Sequence, residues 1–141
     1  MKKKFSTKWK GSTKPRKQRK YSANAPLHLK KKLVASNLSK ELRKKHGTRS
    51  ISLRKGDTVK IMRGKFKGKS GKISSVKIKL QKIEVEGIQT KKMDNSKVNV
   101  PLKASNVQIV ELNFEDRKRG KNLKKLEKDE IKRPEETGEK K

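Results

Sequence analysis

Residues 54–87 read RKGDTVKIMRGKFKGKSGKISSVKIKLQKIEVEG: two alternating apolar/polar runs joined by a glycine-rich loop, then a third run that stops at Gly87. Alternation with period two puts successive side chains on opposite faces and marks half-buried strands. In residues 57–63, Val59 and Ile61 share one face. In 72–79, Ile73 has one parity while Val76 and Ile78 share the other, so a bulge or bend is expected near Ser75, of the sort that closes a small barrel. Residues 81–86 repeat the pattern through Ile83 and Val85. Gly56, Gly64, Gly68, Gly71 and Gly87 read as structural turn glycines at the corners of these hairpins.

Downstream, Asp94 and Asn95 mark a turn, and Val98 with Val100 make a fourth strand that Pro101 ends, because proline cannot donate to a ladder. Residues 106–112 supply a fifth strand through Val107 and Ile109, with Val110 and Leu112 beside them. The fold class is mainly β, a small five-stranded SH3-like barrel over residues 51–113, with short N-terminal helices and basic extensions. Beyond Phe114, Asp116 is placed to cap a helix running through Leu123 and Leu126 towards Ile131, interrupted by Gly120, with a frayed tail from Pro134.

Upstream, residues 23–50 carry two short basic helices. Pro26 suits a first turn, and Leu27, Leu29, Leu33 and Val34 share a broad face ending near Ser36. The second has Ser39 as N-cap, Glu41 near its positive end, Arg43, Lys44 and Lys45 near its negative end, and Gly47 as the stop. Helices this short need a surface to dock on, the barrel or a polyanion. Residues 1–22 hold only Phe5, Trp9 and Tyr21 as large apolar groups, so this arm is expected to be disordered when free and to order on a polyanion.

The chain has 141 residues, 44 basic against 14 acidic side chains and a formal charge of +30, with 28% hydrophobic and 41% charged residues. The packed part is therefore well short of the whole. The charge is graded: residues 1–50 carry 18 basic and 1 acidic side chain, residues 114–141 carry 11 and 8. A monomer so charged repels itself, which favours life beside nucleic acid, where neutralised phosphates release counterions, and disfavours homo-oligomers. Without cysteine there is no disulfide, thiolate nucleophile or cysteine zinc site. No apolar stretch approaches a membrane span, and the opening MKKKFSTKWKGSTK has no apolar segment behind its charges, so an intracellular protein is expected.

The loop from Gly64 to Ser70 approximates a phosphate-binding P-loop, but three residues, not four, separate its first glycine from the Gly-Lys pair, and it joins strand to strand instead of strand to helix. His28 and His46 lack metal-ligand spacing. Asp57, Glu84 and Glu86 lie among lysines as ordinary surface pairs, so neither catalysis, metal nor cofactor is expected. What marks the loop is its company: Arg63, Lys65, Lys67, Lys69 and Lys72 fan from one hairpin, with Phe66 exposed at the tip. Like charges so close need anions between them. Phe66, Trp9 and Tyr21 are candidates for stacking on unpaired bases.

The run GDTVKIMRGKFKGKSGKISSV, from Gly56, resembles a KOW motif, the hairpin module of certain ribosomal proteins and of elongation factors of the NusG and Spt5 type. The upstream text APLHLKKKLVASNLSKELRKKHGTRSISLRKGD and the later VNVPLKASNVQIVELNFED resemble the archaeal and eukaryotic form of large-subunit ribosomal protein twenty-four, numbered twenty-six in eukaryotes. That resemblance implies an SH3-like barrel on the 5′ region of the large rRNA near the polypeptide exit tunnel, cytoplasmic, beside neighbouring ribosomal proteins and within reach of nascent chains or targeting factors. The basic positions it implies are Arg16, Lys17, Arg19, Lys20, His28, Lys30, Lys31, Lys32, Arg43, Arg49, Arg54 and Arg63. The charge pattern adds Lys14, Lys44, Lys55 and the loop residues Lys65, Phe66, Lys67, Lys69 and Lys72. His46 stands where the family usually has tyrosine. Two rivals remain, a KOW-type transcription or RNA-processing factor and a histone-like DNA-binding protein.

Overall fold

The computed structural model of the chain describes residues 5–116 and Arg119. The expected C-terminal helix through Leu123, Leu126 and Ile131, with its Gly120 interruption and the tail from Pro134, lies outside the described residues, as do residues 1–4 of the arm.

The chain is mainly β. After a 3-10 turn at Thr7–Gly11 come helices α1 (Pro15–Asn24) and α2 (Leu27–Leu33), strand β1 (Ala35–Leu38), helix α3 (Lys40–His46) and strand β2 (Ser50–Ser52). The central strands are β3 (Thr58–Ile61), β4 (Ser70–Lys77) and β5 (Lys82–Val85); then follow β6 (Gln89–Lys91), β7 (Lys97–Asn99), β8 (Leu102–Lys103), a 3-10 turn at Ala104–Asn106, and β9 (Val107–Glu111). Seven strands form one sheet in the order β2-β1-β9-β3-β4-β5-β8, and β6 with β7 make a separate pair.

Connectivity forces that sheet to curl. β8 is the edge strand, while β9, four places away, starts after only the 3-10 turn Ala104–Asn106. Four strand spacings of a flat sheet span about 19 Å. A 3-10 segment advances only about 2 Å per residue, so the two ends must bend towards each other. The inward alternation seen in the sequence supplies the inside: Val59, Ile61, Ile83, Val85 and Ile109 are fully buried and cluster with Ile73, Val107, Leu38, Val34 and Leu53. The expected irregularity at Ser75 is present as a register shift in the β4–β5 ladder between Ile73 and Ser75. Gly71 is a correction. It lies inside β4 and not in a turn, and its role is closeness, since a Cβ there would sit 2.7 Å from the Glu86 carbonyl oxygen and 3.0 Å from Val85 Cγ1.

The N-terminal elements differ from expectation in two places. The first basic helix was expected to reach Ser36, but it ends at Leu33 and the chain enters β1, which adds to the sheet in parallel with β9 and antiparallel to β2. Ser36 makes this possible: it is 3% exposed, and its hydroxyl donates to the Val107 carbonyl, so a polar residue satisfies itself on the inner face. Residues 15–24, given no element from sequence, form α1, with Pro15 in its first turn. α3 matches its expected caps: the Ser39 hydroxyl accepts from Leu42 N–H at 3.3 Å, and Gly47 takes φ +62°.

The expected fourth strand is also corrected. Val98 lies in β7, 41% exposed, paired only with β6, and Val100 reaches the core just outside that hairpin. The strand that continues the sheet is β8, immediately after Pro101, where a missing N–H no longer matters.

Asp57, read from sequence as a surface acid, is completely buried. Its carboxylate accepts from Arg54 N–H at 2.8 Å and Asn113 N–H at 3.0 Å, and from both terminal nitrogens of Arg119 at 2.6 and 2.9 Å. Arg119 also donates to the Ser52 and Asn113 carbonyls, at 3.2 and 3.1 Å. One carboxylate thus ties the entry to β3, the exit from β9 and the end of β2. Asp57→Ala, which strands a buried guanidinium, should lower stability by about 3 kcal/mol or more in urea unfolding. Adding Arg119→Met should restore only part of this, since the Arg54 and Asn113 amides still lack their acceptor.

Candidate nucleic-acid interface

The β3–β4 loop is a compact turn held by its own backbone. Gly68 N–H donates to the Ile61 carbonyl at 2.8 Å, Ile61 N–H to Lys69 at 2.8 Å, and Lys67 N–H to Gly64 at 3.0 Å. Arg63, Lys65, Lys67, Lys69 and Lys72 are all exposed around it, as the spacing implied. Phe66 is not the exposed tip expected. It is half-buried, packed against the core cluster, with the Lys69 ammonium 5.7 Å from its ring centroid. In a loop so cationic the lone apolar side chain gains by covering apolar surface, and the ring then offers a face to a neighbouring cation.

The other two aromatics divide. Tyr21 is 8% exposed and packs on Phe5 at 5.0 Å between ring centroids, so it anchors α1 and does not present a face for a base. Trp9 is half-buried with Lys20 Nζ 4.8 Å from its ring. Gln18 fastens the 3-10 turn to α1 through the carbonyls of Lys10, at 3.2 Å, and Ser12, and the Ser22 hydroxyl donates to Gln81 Oε1 at 2.9 Å, pinning the helix to the β4–β5 turn. Lys14, Arg16, Lys17, Arg19 and Lys20 are exposed on this unit.

The arm and the loop therefore lie at opposite ends of β4. Eight residues of strand, Ser70–Lys77, about 23 Å end to end, lie between the loop and the point where Ser22 fastens α1. The loop cations and the cations of α1 therefore fall into separate groups.

Several of the basic residues implied by the resemblance are engaged within the protein. Arg43 Nε donates to the Leu38 carbonyl at 2.9 Å, Lys30 Nζ to the Ala23 carbonyl at 3.1 Å, and Arg54 forms an ion pair with Asp116. His28, Lys31, Lys32, Lys44, Arg49 and Lys55 are exposed. His46 is 5% exposed and its ring lies 6.1 Å from that of Phe114, so it packs under the C-terminal segment instead of standing as a surface cation. Glu84 pairs with Lys77 across the β4–β5 ladder. Asp94 accepts from the hydroxyl and the amide of Ser96, which hold its carboxyl below the usual carboxylate range in the β6–β7 turn.

Sequence reasoning missed Asp57, Arg119 and Asn113 as a unit. Nothing adjacent to Asp57 in sequence signals these partners; in the structure the neighbouring Gly56 takes φ +86° and lies against the Asn113 side chain. Among the described residues, no group of three or more His, Cys, Asp or Glu side chains is placed to hold a metal ion.

Two comparisons bear on this arrangement. Residues 12–126 match a family profile described as ribosomal proteins L26 of eukaryotes and L24 of archaea. The chain is also 44% identical over 114 residues to a protein of Methanosarcina barkeri named large ribosomal subunit protein uL24, covering 81% of this chain and 98% of that one.

Phe66→Ala separates the two roles of the ring. Its packing against the core predicts a loss of about 1–2 kcal/mol in urea unfolding. RNA affinity should change little if the protein is assayed well below its melting temperature; a large affinity loss at unchanged stability would return Phe66 to the stacking role.

Proposed function

The chain belongs to the family of ribosomal proteins L26 (eukaryotic) and L24 (archaeal), and from that premise we propose that it is a structural constituent of the large ribosomal subunit in the cytoplasm, working by binding rRNA and not by catalysis. The observation that carries this is the 44% identity to the archaeal large-subunit protein over 98% of that protein's length. The formal charge of +30 fits a life against phosphates, and it makes a solitary monomer among RNA and neighbouring proteins more favourable than a homo-oligomer. The family match favours this reading over both a transcription factor and a DNA compactor.

In this reading β3, β4, β5, β8 and β9 act as an SH3-like barrel, supported by the short β8–β9 connection and the common core they enclose. The barrel loop with Arg63, Lys65, Lys67, Lys69 and Lys72 takes one segment of rRNA, and the arm with Lys14, Arg16, Lys17, Arg19 and Lys20 takes another. With about 23 Å of strand between the loop and the point where the arm is fastened, the protein clamps separate RNA elements. The arm orders on this RNA, and the contacts fall in the 5′ region of the large rRNA, near the tunnel exit and within reach of nascent chains or targeting factors. Phosphate contacts would set position, with Trp9 the aromatic best left for an unpaired base.

Deleting residues 1–20 removes 10 of the 44 basic side chains, while no member of the core cluster precedes Val34. The truncated protein should keep its sheet by circular dichroism and bind an rRNA transcript more weakly. Its salt dependence should be shallower by roughly 0.7–0.9 for each phosphate that the arm no longer neutralises. An unchanged salt slope would show that the arm is not bound. Co-sedimentation of the tagged full-length protein with free subunits other than the large one would overturn the assignment itself.

A further inference from the structure

A cleft of about 340 Å³ opens between α2 and the far end of β4. Its floor is Val34 and Leu53, 2% and 5% exposed, and its walls are the half-buried Val76 and Ile78. Lys31, Arg54 and Lys55 complete the lining, which contains no acidic residue. Lys31 and Lys55 are exposed, whereas Arg54 is held by Asp116 from outside the lining and so serves as a wall.

An apolar hollow whose exposed rim is cationic repels a second copy of this chain, whose charge is +30. It suits a group with a flat apolar face and an attached negative charge. A duplex cannot offer that, because its bases are stacked inside; an unpaired nucleotide can. We propose that this cleft receives one extruded nucleotide of rRNA, its base against Val34, Leu53, Val76 and Ile78 and its flanking phosphates between Lys31 and Lys55. The proposal rests on the rRNA-binding reading above. It adds a site that selects an unstacked base, which phosphate contacts at the loop and arm cannot do.

The test uses the full-length protein bound to a transcript of the large rRNA and base-specific chemical probing. Wild-type protein should protect one unpaired base. Ile78→Trp, which fills the cleft from its wall, should expose that base again and weaken binding about tenfold while binding persists. Lys31→Ala with Lys55→Ala, both at exposed positions, should expose the same base and so reports even if the tryptophan variant folds poorly. If the protected bases are identical in wild type and both variants, the cleft is not a nucleotide site although rRNA binding stands. If wild-type protein binds the transcript no better than unrelated RNA, both readings fall. Protection of Lys31 and Lys55 from amine acylation in the assembled subunit, but not in the protein–rRNA complex, would assign the cleft to a neighbouring protein and overturn the proposal.

Discussion

The buried carboxylate of Asp57 is the constraint on which the rest of the architecture depends. It is wholly inaccessible in a chain with three times as many basic as acidic side chains, and four donors from three parts of the sequence converge on it. A buried ion pair of this kind adds little net stability compared with a well-packed apolar substitute, because both charges lose water. Its effect lies in selection among arrangements. The Arg54 amide must be at the entry to β3, the Asn113 amide at the exit from β9, and Arg119 must fold back beneath Ser52; any other register leaves a charge buried alone. The C-terminal segment is thereby fastened across the sheet, with Asp116 pairing to Arg54 and Phe114 lying near His46 as further points of attachment.

This fastening matters because the apolar core is small. Among the described residues the buried cluster runs from Val34 to Ile109 and holds twelve residues, mostly valine and isoleucine, with no aromatic among them. Such a core has little apolar burial to set against chain entropy and the self-repulsion of a +30 chain. Polar bonds at the seams add to it: the Ser36 hydroxyl donates to the Val107 carbonyl, Ser39 N–H to the Ile109 carbonyl, and Arg43 Nε to the Leu38 carbonyl. Each joins an N-terminal element to the sheet without needing more apolar surface.

What the sequence made legible follows from which signals are local. Val59 with Ile61, Ile83 with Val85, and the parity change near Ser75 were readable because period-two burial and its interruption are written in adjacent residues, and so were the caps of α3 at Ser39 and Gly47. Asp57 was not legible, since nothing near it in sequence announces Arg119, 62 residues away. β1 was hidden because four residues, ASNL, carry too little pattern to be told from the end of a helix, and its inner face includes a serine. The β6–β7 pair contains alternation at Val98 that looks like a buried strand but faces solvent, for alternation shows that a segment is extended and not which partner it meets. For the candidate interface, the identity of the cations was readable and their grouping was not. Arg54, Arg43 and Lys30 look like the others in sequence, yet each bonds to a partner in the same chain.

That grouping changes what the charge can do. A single basic patch would attract RNA of any shape, since phosphate attraction carries little sequence information. In the proposed rRNA-binding reading, β4 would act as a ruler between a cationic loop at one end and the point where Ser22 fastens α1 at the other. Phe66 and Tyr21, by turning inward, exchange the prospect of stacking on bases for rigidity at each end of that ruler. On that reading affinity would come from the lysines and arginines, and selectivity from the distance and angle at which the fold presents them. A floppy polycation of the same composition would bind as strongly at low salt and would organise nothing.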